Sequence, residues 1–438
     1  MNINFLSYPK NSPWQLGNKI GQRTVIFGDS LTANNNGFLG LSDRGMFNWG
    51  NMLLKQRFNL INNAGIGGNT TYQMLARIQA DVLDWKPKYC VILGGGNDIN
   101  HNVGNLPLTT TKRNLATIYN ILLENGITII AMPMTPVEIN WSGYADYPKV
   151  FDLNEWIREY AQLNNPGMYY VDVFKYMVDP TNTGGDAKTK YLNPDHVHPM
   201  ALGCYYAGLG MYEALKEVIP ERSISVSSIY DDISLNANSN QLAKNPIFNG
   251  SGGTATPNSG SITGTIAADW EVRVASGTSA VTASVVAATS GVGNAQQIVI
   301  SNASGTTSTV YILMKTSAHS YVSAGDVLRA ECDVECSSLN NVTGISALFF
   351  NDSGTSYAAA NYYDTATASS NDPTYYPQVG WAGRMRSSTY TVPGGGINGL
   401  KFVLRVNTTG VGGTATIKLS NVSLRKLMLP YTYPPYQL

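Results

Sequence analysis

The hydrophobic pattern of this chain changes once, near residue 220, and that change limits the folds it can adopt. From Thr24 to about Pro220, short apolar runs alternate with amphipathic segments of helical period. Beyond Pro220 the period becomes two residues, as in half-buried strands, and Gly, Ser, Thr and Asn are abundant. The length of 438 residues also exceeds what one hydrophobic core usually supports. We therefore predict two domains of different class.

The first pattern predicts an α/β domain with a parallel sheet. Its strand candidates end near Phe27, Ala64, Gly95, Met134 and Phe174, with helical segments between them. Because strands that alternate with helices pair in parallel through right-handed crossovers, helices should cover both faces of the sheet. The carboxyl ends of such strands lie at one edge, where loops form the site. Polar residues that follow these strands are therefore the candidates for function.

The second pattern predicts an antiparallel β-sandwich, of jelly-roll type. It rests on eight period-two segments: DWEVRVA, VTASVVA, QQIVIS, TVYILMK, VLRAECDVEC, ISALFF, LKFVLRV and TATIKLSNVSL. Disorder is the alternative for so Gly/Ser-rich a sequence, but the regular alternation and bulky residues such as Trp270 and Phe402 oppose it. The predicted organisation is an N-terminal arm (1–22), the α/β domain (23–220), a linker (221–243), the β-sandwich (244–427) and a Pro/Tyr-rich tail (428–438).

Charge and cysteine usage exclude several classes of partner. Lys+Arg and Asp+Glu both total 29, so no net field favours nucleic acid or an anionic membrane. No uncharged apolar run reaches the roughly 18 residues of a membrane span, and the N-terminal sequence lacks a signal-peptide core. We therefore expect a protein that is not exported by the Sec pathway and does not bind membranes. The four cysteines show neither disulfide nor metal spacing, and we expect them to be reduced and mostly buried.

Four polar clusters fall beside the predicted strands and the last helix. They are GDSLT around Ser30, GGNT around Gly68, GGND around Asn97, and DHVHP from Asp195 to His198. Each has an ordinary explanation when taken alone. Ser30 and Asp195 suit helix caps or turns, Gly68 and Asn97 suit turn geometry, and His198 suits a packed surface position.

Taken together and in this order, the four clusters resemble the four sequence blocks of the SGNH hydrolases, also called GDSL esterases/lipases. The resemblance covers about residues 23–220 and implies a flavodoxin-like three-layer α/β/α fold. It implies a catalytic triad of Ser30, His198 and Asp195, and no cofactor or metal. It also implies an oxyanion hole formed by the backbone N–H groups of Ser30 and Gly68 and the side-chain amide of Asn97.

The chemistry of these residue types agrees with that assignment. A serine hydroxyl is a weak nucleophile, so a base must accept its proton, and histidine titrates near neutral pH. An aspartate three residues earlier can orient the imidazole, and preorganised N–H donors stabilise the oxyanion. Asp29 and Asp98 are expected to make structural hydrogen bonds in their turns, and His101 is expected to be exposed. His196 stands where the family commonly has a small residue, and we assign it no role.

The substrate is the least constrained part of the prediction, because the resembled family hydrolyses lipids, thioesters, aryl esters and acetylated sugars alike. NPIFNGSG, ADWEVRVASG and the last strand resemble carbohydrate-binding jelly-roll modules of the family 4/9 type. Five aromatic residues then become candidates for sugar stacking, although tyrosines between strands also pack sandwich edges or subunit interfaces. They are Tyr362, Tyr363, Tyr375, Tyr376 and Trp381.

These features favour a serine esterase that removes acetyl or other short acyl groups from a carbohydrate. One alternative is a lipase, thioesterase or arylesterase whose β-sandwich only supports assembly. Another is a non-enzymatic virion subunit with a degenerate hydrolase domain. The second part of the chain also resembles bacteriophage tail proteins in style, which would make the protein a virion component and a homo-oligomer, expected to be a trimer.

Overall fold

The computed structural model describes most of the chain as two compact units, which cover residues 22–222 and 228–427. The described residues are 22–34, 45–100, 103–138, 147–182, 185–222, 228, 231–236, 239–302, 307–351, 356–362, 372–410 and 412–427. The predicted N-terminal arm apart from Gln22, as well as His101, Tyr363 and the predicted tail, lie outside them.

The first unit is built on a parallel sheet of five strands in the order β2-β1-β3-β4-β5. The strands are β1 (Gln22–Gly28), β2 (Phe58–Gly65), β3 (Tyr89–Leu93), β4 (Thr128–Ala131) and β5 (Met168–Tyr170). This is a doubly wound order, in which successive strands are added first on one side of β1 and then, from β3 onward, on its other side. The carboxyl ends of these two strands therefore flank the position where such folds place their sites, and the predicted α/β class is confirmed.

Helices connect the strands of the first unit, as the alternating pattern predicted. They are α1 (Ser30–Ala33), α2 (Met46–Leu53), α3 (Thr71–Asp81), α4 (Gly96–Ile99), α5 (Leu108–Glu124), α6 (Tyr147–Leu163), α7 (Val173–Met177) and α8 (Ala201–Leu215). In α5 the buried residues Leu115, Ile118 and Leu122 recur every three to four positions and join one core cluster with β3 and β4. Burial of this stripe fixes the helix against the sheet.

The fifth strand is shorter than the sequence predicted. Residues 168–174 read as one strand ending at Phe174, but the strand ends at Tyr170 and α7 begins at Val173. The cause is Asp172, whose side chain accepts a hydrogen bond from Lys175 N at 3.0 Å and caps the helix. An apolar alternation cannot reveal such a cap, because Val and Phe fit either element.

The second unit consists of two β-sheets, as expected of a β-sandwich. One sheet has the order β15-β12-β18-β10-β9-β7 with β16 added to β12, and the other has the order β14-β13-β17-β11-β8-β6. The strands are β6 (Thr254–Thr256), β7 (Ser261–Gly264), β8 (Trp270–Ser276), β9 (Ala280–Ala287), β10 (Asn294–Asn302), β11 (Ser308–Met314), β12 (Val327–Asn340), β13 (Val342–Phe350), β14 (Ser356–Tyr362), β15 (Trp381–Arg386), β16 (Tyr390–Thr391), β17 (Lys401–Thr408) and β18 (Gly413–Leu427).

All eight period-two segments of the sequence lie on strands of this unit. Neighbouring strands pair antiparallel, except the short edge strands β6 and β7, which pair in parallel with β8 and β9. On β12 the alternation is clear: Cys332 and Val334 are fully buried, whereas Asp333 forms an ion pair with Arg384 of β15 at 2.7 Å. The jelly-roll connectivity itself remains a prediction.

The four cysteines are buried, and none of them is in a disulfide. Burial raises the pKa of the Cys90, Cys332 and Cys336 thiols, so these side chains act as small apolar groups.

Part of the segment predicted as a linker, residues 221–243, packs within the second unit. Gln241 forms a bridge with Arg425 of β18, and its side-chain amide donates to Val422 O at 2.9 Å. Leu242 N donates to Leu424 O at 2.6 Å, and Ala243 is fully buried. Residues 241–243 therefore extend the sheet at β18. The polar composition of the stretch concealed these few sheet-forming residues.

Candidate active site

The first element of the site is the turn that carries Ser30. Strand β1 ends at Gly28, Asp29 caps α1, and Ser30 is the first residue of that helix. The side chain of Asp29 accepts a hydrogen bond from Leu31 N at 3.0 Å. Gly28 is required here because a Cβ atom on it would lie 2.1 Å from Leu93 O of β3. The close packing of β1 on β3 thus determines where the Ser30 hydroxyl emerges.

The second element is the loop from Asn193 to Pro199, which precedes α8. Asp195 Oδ1 accepts hydrogen bonds from Val197 N and His198 N, both at 2.9 Å. Asn193 N donates to His198 O at 2.8 Å. The spacing of three residues between Asp195 and His198 is thereby explained, because the aspartate closes the turn that presents the histidine.

These two elements bring a hydroxyl, an imidazole and a carboxylate into one line. Ser30 Oγ lies 2.8 Å from His198 Nε2, and His198 Nδ1 lies 2.9 Å from Asp195 Oδ2. Both distances are those of hydrogen bonds. The side chain of His198 is 28% exposed and that of Asp195 is 48% exposed, so the group opens to solvent. The structure therefore brings together all three residues that the sequence predicted as a triad, and their catalytic roles remain predictions.

The electrostatics of Asp195 suit a permanently ionised orienting group. Partial burial acts to raise its pKa, but the hydrogen bonds from the His198 ring and from the His198 and Val197 backbone outweigh it and lower the pKa to about 2. Asp195 is thus a carboxylate at any pH at which a neutral imidazole could serve as a base.

The predicted oxyanion donors lie on the two loops that flank Ser30. A Cβ atom on Gly67 would lie 3.9 Å from the Cβ of Ser30, which places this loop against the serine. Gly68 has a φ of +77°, and a Cβ atom on it would have nothing within 4 Å. The space over Gly68 is therefore open to a substrate, and its left-handed backbone favours glycine.

Asn97 follows β3 in the first turn of α4 and is buried. Its Nδ2 donates to Asn69 O at 3.1 Å, so it is tied to the residue after Gly68. The amide group carries a second hydrogen that can be donated to a substrate oxygen. The structure thus places Ser30 at the start of α1, Gly68 on the loop after β2 and Asn97 in the first turn of α4, at the carboxyl edge of the sheet.

The two other carboxylates make structural hydrogen bonds, as predicted. Asp98 is fully buried and accepts from Thr71 N at 2.8 Å and from the Thr71 hydroxyl. It therefore caps α3 from the neighbouring short helix α4, while Asp29 caps α1. Burial raises the pKa of Asp98, and it raises the pKa of Asp29 to about 6.

Sequence reasoning missed two groups beside the site. His196, with a φ of +65°, has its Nδ1 2.6 Å from Glu138 Oε2, and Glu138 N donates to His196 O at 3.1 Å. Glu138, seven residues beyond β4, had no motif to reveal it. Arg77 of α3 contacts both β1 and the Asn69 loop. Its only sequence signal was Asp81, four residues later, which it pairs with at 2.6 Å.

Of the aromatic residues predicted to bind sugar, the four that the structure describes do not form an exposed platform. Tyr362 ends β14 opposite Ile345, Trp381 begins β15 opposite Cys336, and both rings are buried. Tyr376 is buried as well, and Tyr375 is half-buried. Stacking needs an accessible ring face, so the buried rings of Tyr362, Tyr376 and Trp381 cannot provide one. Their pattern reflected packing of the sandwich, the alternative that the sequence left open.

The described residues contain no group of three or more His, Cys, Asp or Glu side chains placed to hold a metal ion. In the same part of the chain, none of the helices combines the length and the apolar character that crossing a membrane requires.

The family match with known proteins falls within the first unit. Residues 26–204 match the family described as "GDSL-like Lipase/Acylhydrolase family". The uncharacterized lipoprotein YqeF of Bacillus subtilis (strain 168) is 38% identical over 118 residues, which are 26% of this chain and 48% of that protein. The chain thus spans about half the length of this curated relative.

Two solved structures illustrate the similarity. A GDSL-like lipase from Bacteroides thetaiotaomicron VPI-5482 is 24% identical, with a TM-score of 0.36 over 45% of this chain and 87% of that one. An acetyl xylan esterase is 24% identical, with a TM-score of 0.36 over 44% of this chain and 99% of that one.

Proposed function

We propose that this chain, whose residues 26–204 form a domain of the GDSL-like lipase/acylhydrolase family, is a serine ester hydrolase. The observation that carries the proposal is the continuous hydrogen-bonded line from Ser30 through His198 to Asp195, with distances of 2.8 and 2.9 Å. A buried structural histidine would not need a serine on one nitrogen and a carboxylate on the other. This arrangement is the one that activates a hydroxyl.

In the first half of the reaction, Ser30 Oγ attacks the ester carbonyl carbon while His198 Nε2 takes the hydroxyl proton. The carbonyl electron pair moves to oxygen, where the N–H groups of Ser30 and Gly68 and the amide of Asn97 stabilise the negative charge. The carbon–oxygen bond to the alcohol then breaks, and His198 returns the proton to the leaving alcohol. Ser30 is left acylated.

In the second half, water attacks the acyl group while His198 takes a proton from the water. The tetrahedral intermediate collapses, the bond to Ser30 breaks, and the proton on His198 returns to Ser30 Oγ. The products are the carboxylic acid and free enzyme. Asp195 stays ionised throughout and stabilises the imidazolium that forms in each half.

We further propose that the substrate is a carbohydrate carrying acetyl or other short acyl groups. The exposure of His198 and Asp195 supports this substrate, because a solvent-open site admits an acyl group that is attached to a large polymer. The open space over Gly68 is consistent with a leaving group that extends away from the protein. The second unit would then contact the same polymer through a surface other than the buried aromatic residues.

A hydrolase for apolar esters is the second candidate. Three large apolar side chains are exposed in the segments that carry the oxyanion donors: Ile66, Tyr72 and Val103. Tyr72, two residues after the Thr70 cap of α3, is 68% exposed. An apolar rim of this kind suits the acyl chain of a lipid or the ring of an aryl ester.

The experiment compares the wild type with Ser30→Ala on 4-nitrophenyl esters of increasing acyl length, acetylated xylan and other acetylated glycans. We expect Ser30→Ala to lower kcat at least about 1000-fold, while the exposed Ser261→Ala retains full activity. Hydrolysis that persists in Ser30→Ala would reject Ser30 as the nucleophile. Strong acetate release from glycans supports the carbohydrate substrate, whereas a preference for long acyl chains supports the second candidate.

We also propose that the chain belongs to a virion tail and forms a homo-oligomer, a trimer. The Gly-, Ser- and Thr-rich strands of the second unit support this proposal. Light scattering coupled to size-exclusion chromatography tests it, because a monomeric mass at micromolar concentration would exclude a stable trimer.

A further inference from the structure

The guanidinium of Arg77 uses four hydrogen-bond acceptors at the carboxyl edge of the parallel sheet. It donates to Gly28 O at 2.7 Å, to Ala64 O at 2.8 Å and to Asn69 Oδ1 at 2.8 Å. Its fourth acceptor is Asp81 Oδ2 at 2.6 Å, one helical turn along α3. The side chain is only 15% exposed, and its guanidinium carbon lies 4.6 Å from the centre of the Phe27 ring.

Two of these acceptors lie close in sequence to predicted oxyanion donors. Gly28 lies two residues before Ser30, and Asn69 directly follows Gly68. Gly28 O also accepts a hydrogen bond from Ile66 N at 3.1 Å. The start of the loop that carries Gly68 is therefore bound to the same carbonyl group as Arg77. Asn97 reaches this assembly through its bond to Asn69 O. Arg77 therefore links the Ser30 strand to the Gly68 loop, and Asn69 extends the link to Asn97.

We propose that Arg77 is a positioning residue for the oxyanion hole. It holds the peptide before Asp29 at a fixed distance from the Gly68–Asn69 peptide, so that the N–H groups of Ser30 and Gly68 converge on one oxygen. This inference rests on the proposed ester hydrolysis at Ser30. Arg77 itself does not need to touch the substrate.

The geometry of the site requires arginine rather than another cation. Its planar group presents five N–H donors in fixed directions, and here they are shared among two backbone carbonyls, an amide oxygen and a carboxylate. Lysine has a single nitrogen and cannot reach acceptors on β1, β2 and the Asn69 loop together. Because Asp81 pairs with Arg77, the effect comes from shape and hydrogen bonding rather than from free positive charge.

A purely structural role is the alternative, since the same contacts join β1, β2 and α3. The two roles differ in what they change. A structural role lowers the fraction of folded protein and the unfolding temperature, but each folded molecule keeps its activity. A positioning role lowers the rate of each folded molecule in steps that build negative charge on the oxygen, because a displacement of about 1 Å costs up to about 100-fold in rate.

The experiment compares Arg77→Lys with Arg158→Lys, an exposed arginine of α6 paired with Glu155, as the matched control. Three quantities are measured: kcat and KM for 4-nitrophenyl acetate, the rate of Ser30 labelling by a fluorophosphonate, and the thermal unfolding midpoint. Activity is normalised to the concentration of active sites found by labelling to completion. We expect Arg77→Lys to lower kcat and the labelling rate about 10- to 100-fold with KM within twofold, and Arg158→Lys to match the wild type.

Two further arms keep the test decisive if Arg77→Lys does not fold. Asn69→Ala removes only the acceptor next to Gly68, and we expect it to lower kcat several-fold at unchanged KM. Arg77→Ala with added guanidinium chloride at tens of millimolar should regain part of the lost kcat. Normal kcat per active site in both Arg77→Lys and Asn69→Ala would overturn the positioning role.

The proposed function fails by a separate result. If the wild type shows no labelling that depends on Ser30, then the ester hydrolase assignment falls and the positioning role falls with it. If the wild type is labelled at Ser30 and the Arg77 variants are labelled equally fast, only the positioning role falls.

Discussion

At the scale of single residues, two carboxyl groups near Ser30 have pKa values shifted in opposite directions. Asp195 gains hydrogen bonds that lower its pKa to about 2, whereas burial raises the pKa of Asp29 to about 6. Asp29 is fully buried in the turn that presents Ser30, and the hydrogen bond from Leu31 N, with a smaller contribution from His198, partly offsets the effect of burial on its pKa. Ionised Asp29 is thus a cost to stability that the turn carries at neutral pH.

The first prediction concerns this cost. Because the pKa of Asp29 is raised in the folded state, the folded protein binds more protons than the unfolded chain between about pH 4 and pH 6. Stability is therefore present below the unfolded pKa and is lost as pH rises toward the folded one. We expect the difference in unfolding free energy between Asp29→Asn and the wild type to shift in favour of the variant by about 2 kcal/mol from pH 4 to pH 8. Urea unfolding across this range measures it, and parallel pH curves for the two proteins would contradict it.

The second prediction concerns Asp195. Asp195→Asn keeps an oxygen that can accept from the backbone of the turn, but its amide no longer selects the tautomer of His198 that accepts the Ser30 proton. We expect kcat to fall about 10,000-fold with little change in the unfolding midpoint. A variant that retains more than a tenth of the wild-type kcat would show that Asp195 does not orient the base.

At the scale of elements, the sequence predicted the strands and helices well where a period extended over a full element. The eight period-two segments all became strands, because each presents one face to a core. The boundaries that failed were set by single hydrogen bonds, as at Asp172, which starts a helix inside an apolar run. The burial of Tyr362 and Trp381 was also hidden, since an aromatic residue looks the same in sequence whether it faces solvent or the core.

The candidate site shows the same contrast. Ser30, Gly68, Asn97, Asp195 and His198 were identifiable because each sits in a short motif at an element boundary. Arg77 and Glu138 were not, because their roles depend on contacts between elements that are distant in sequence. Short motifs identify the candidate catalytic groups, whereas the residues that contact these groups from other elements are visible only in the fold.

The third prediction concerns the packing of β1 on β3. A Cβ atom at position 28 would overlap Leu93 O and the Thr32 hydroxyl, so Gly28→Ala must separate strands in the centre of the sheet. We expect a loss of about 3 kcal/mol or more in stability, or failure to fold. Gly67→Ala is the matched control, because a Cβ atom there would meet only the Cβ of Ser30, at 3.9 Å. Chemical denaturation of both variants decides the matter, and equal stabilities would refute the steric argument.

At the scale of the whole molecule, the candidate site lies entirely in one of the two units that the hydrophobic pattern predicted. Every residue of the candidate site lies between positions 28 and 198, within the first compact unit. That unit has its own sheet and its own core cluster, and the second unit has two sheets of its own. The proposed ester hydrolysis and the proposed binding of the polymer can therefore be tested separately by cutting the chain between the two units.

The last prediction follows from that separation. A fragment of residues 1–222 should hydrolyse 4-nitrophenyl acetate with a kcat within about threefold of the full chain, because a small ester needs only the residues of the first unit. On an acetylated polysaccharide the fragment should show a higher KM, since the polymer would no longer be held by the second unit. Equal KM values for the two proteins on every glycan would leave the second unit without a role in binding and would favour assembly as its purpose. A fragment that folds but hydrolyses neither substrate would instead show that the first unit does not contain a complete site.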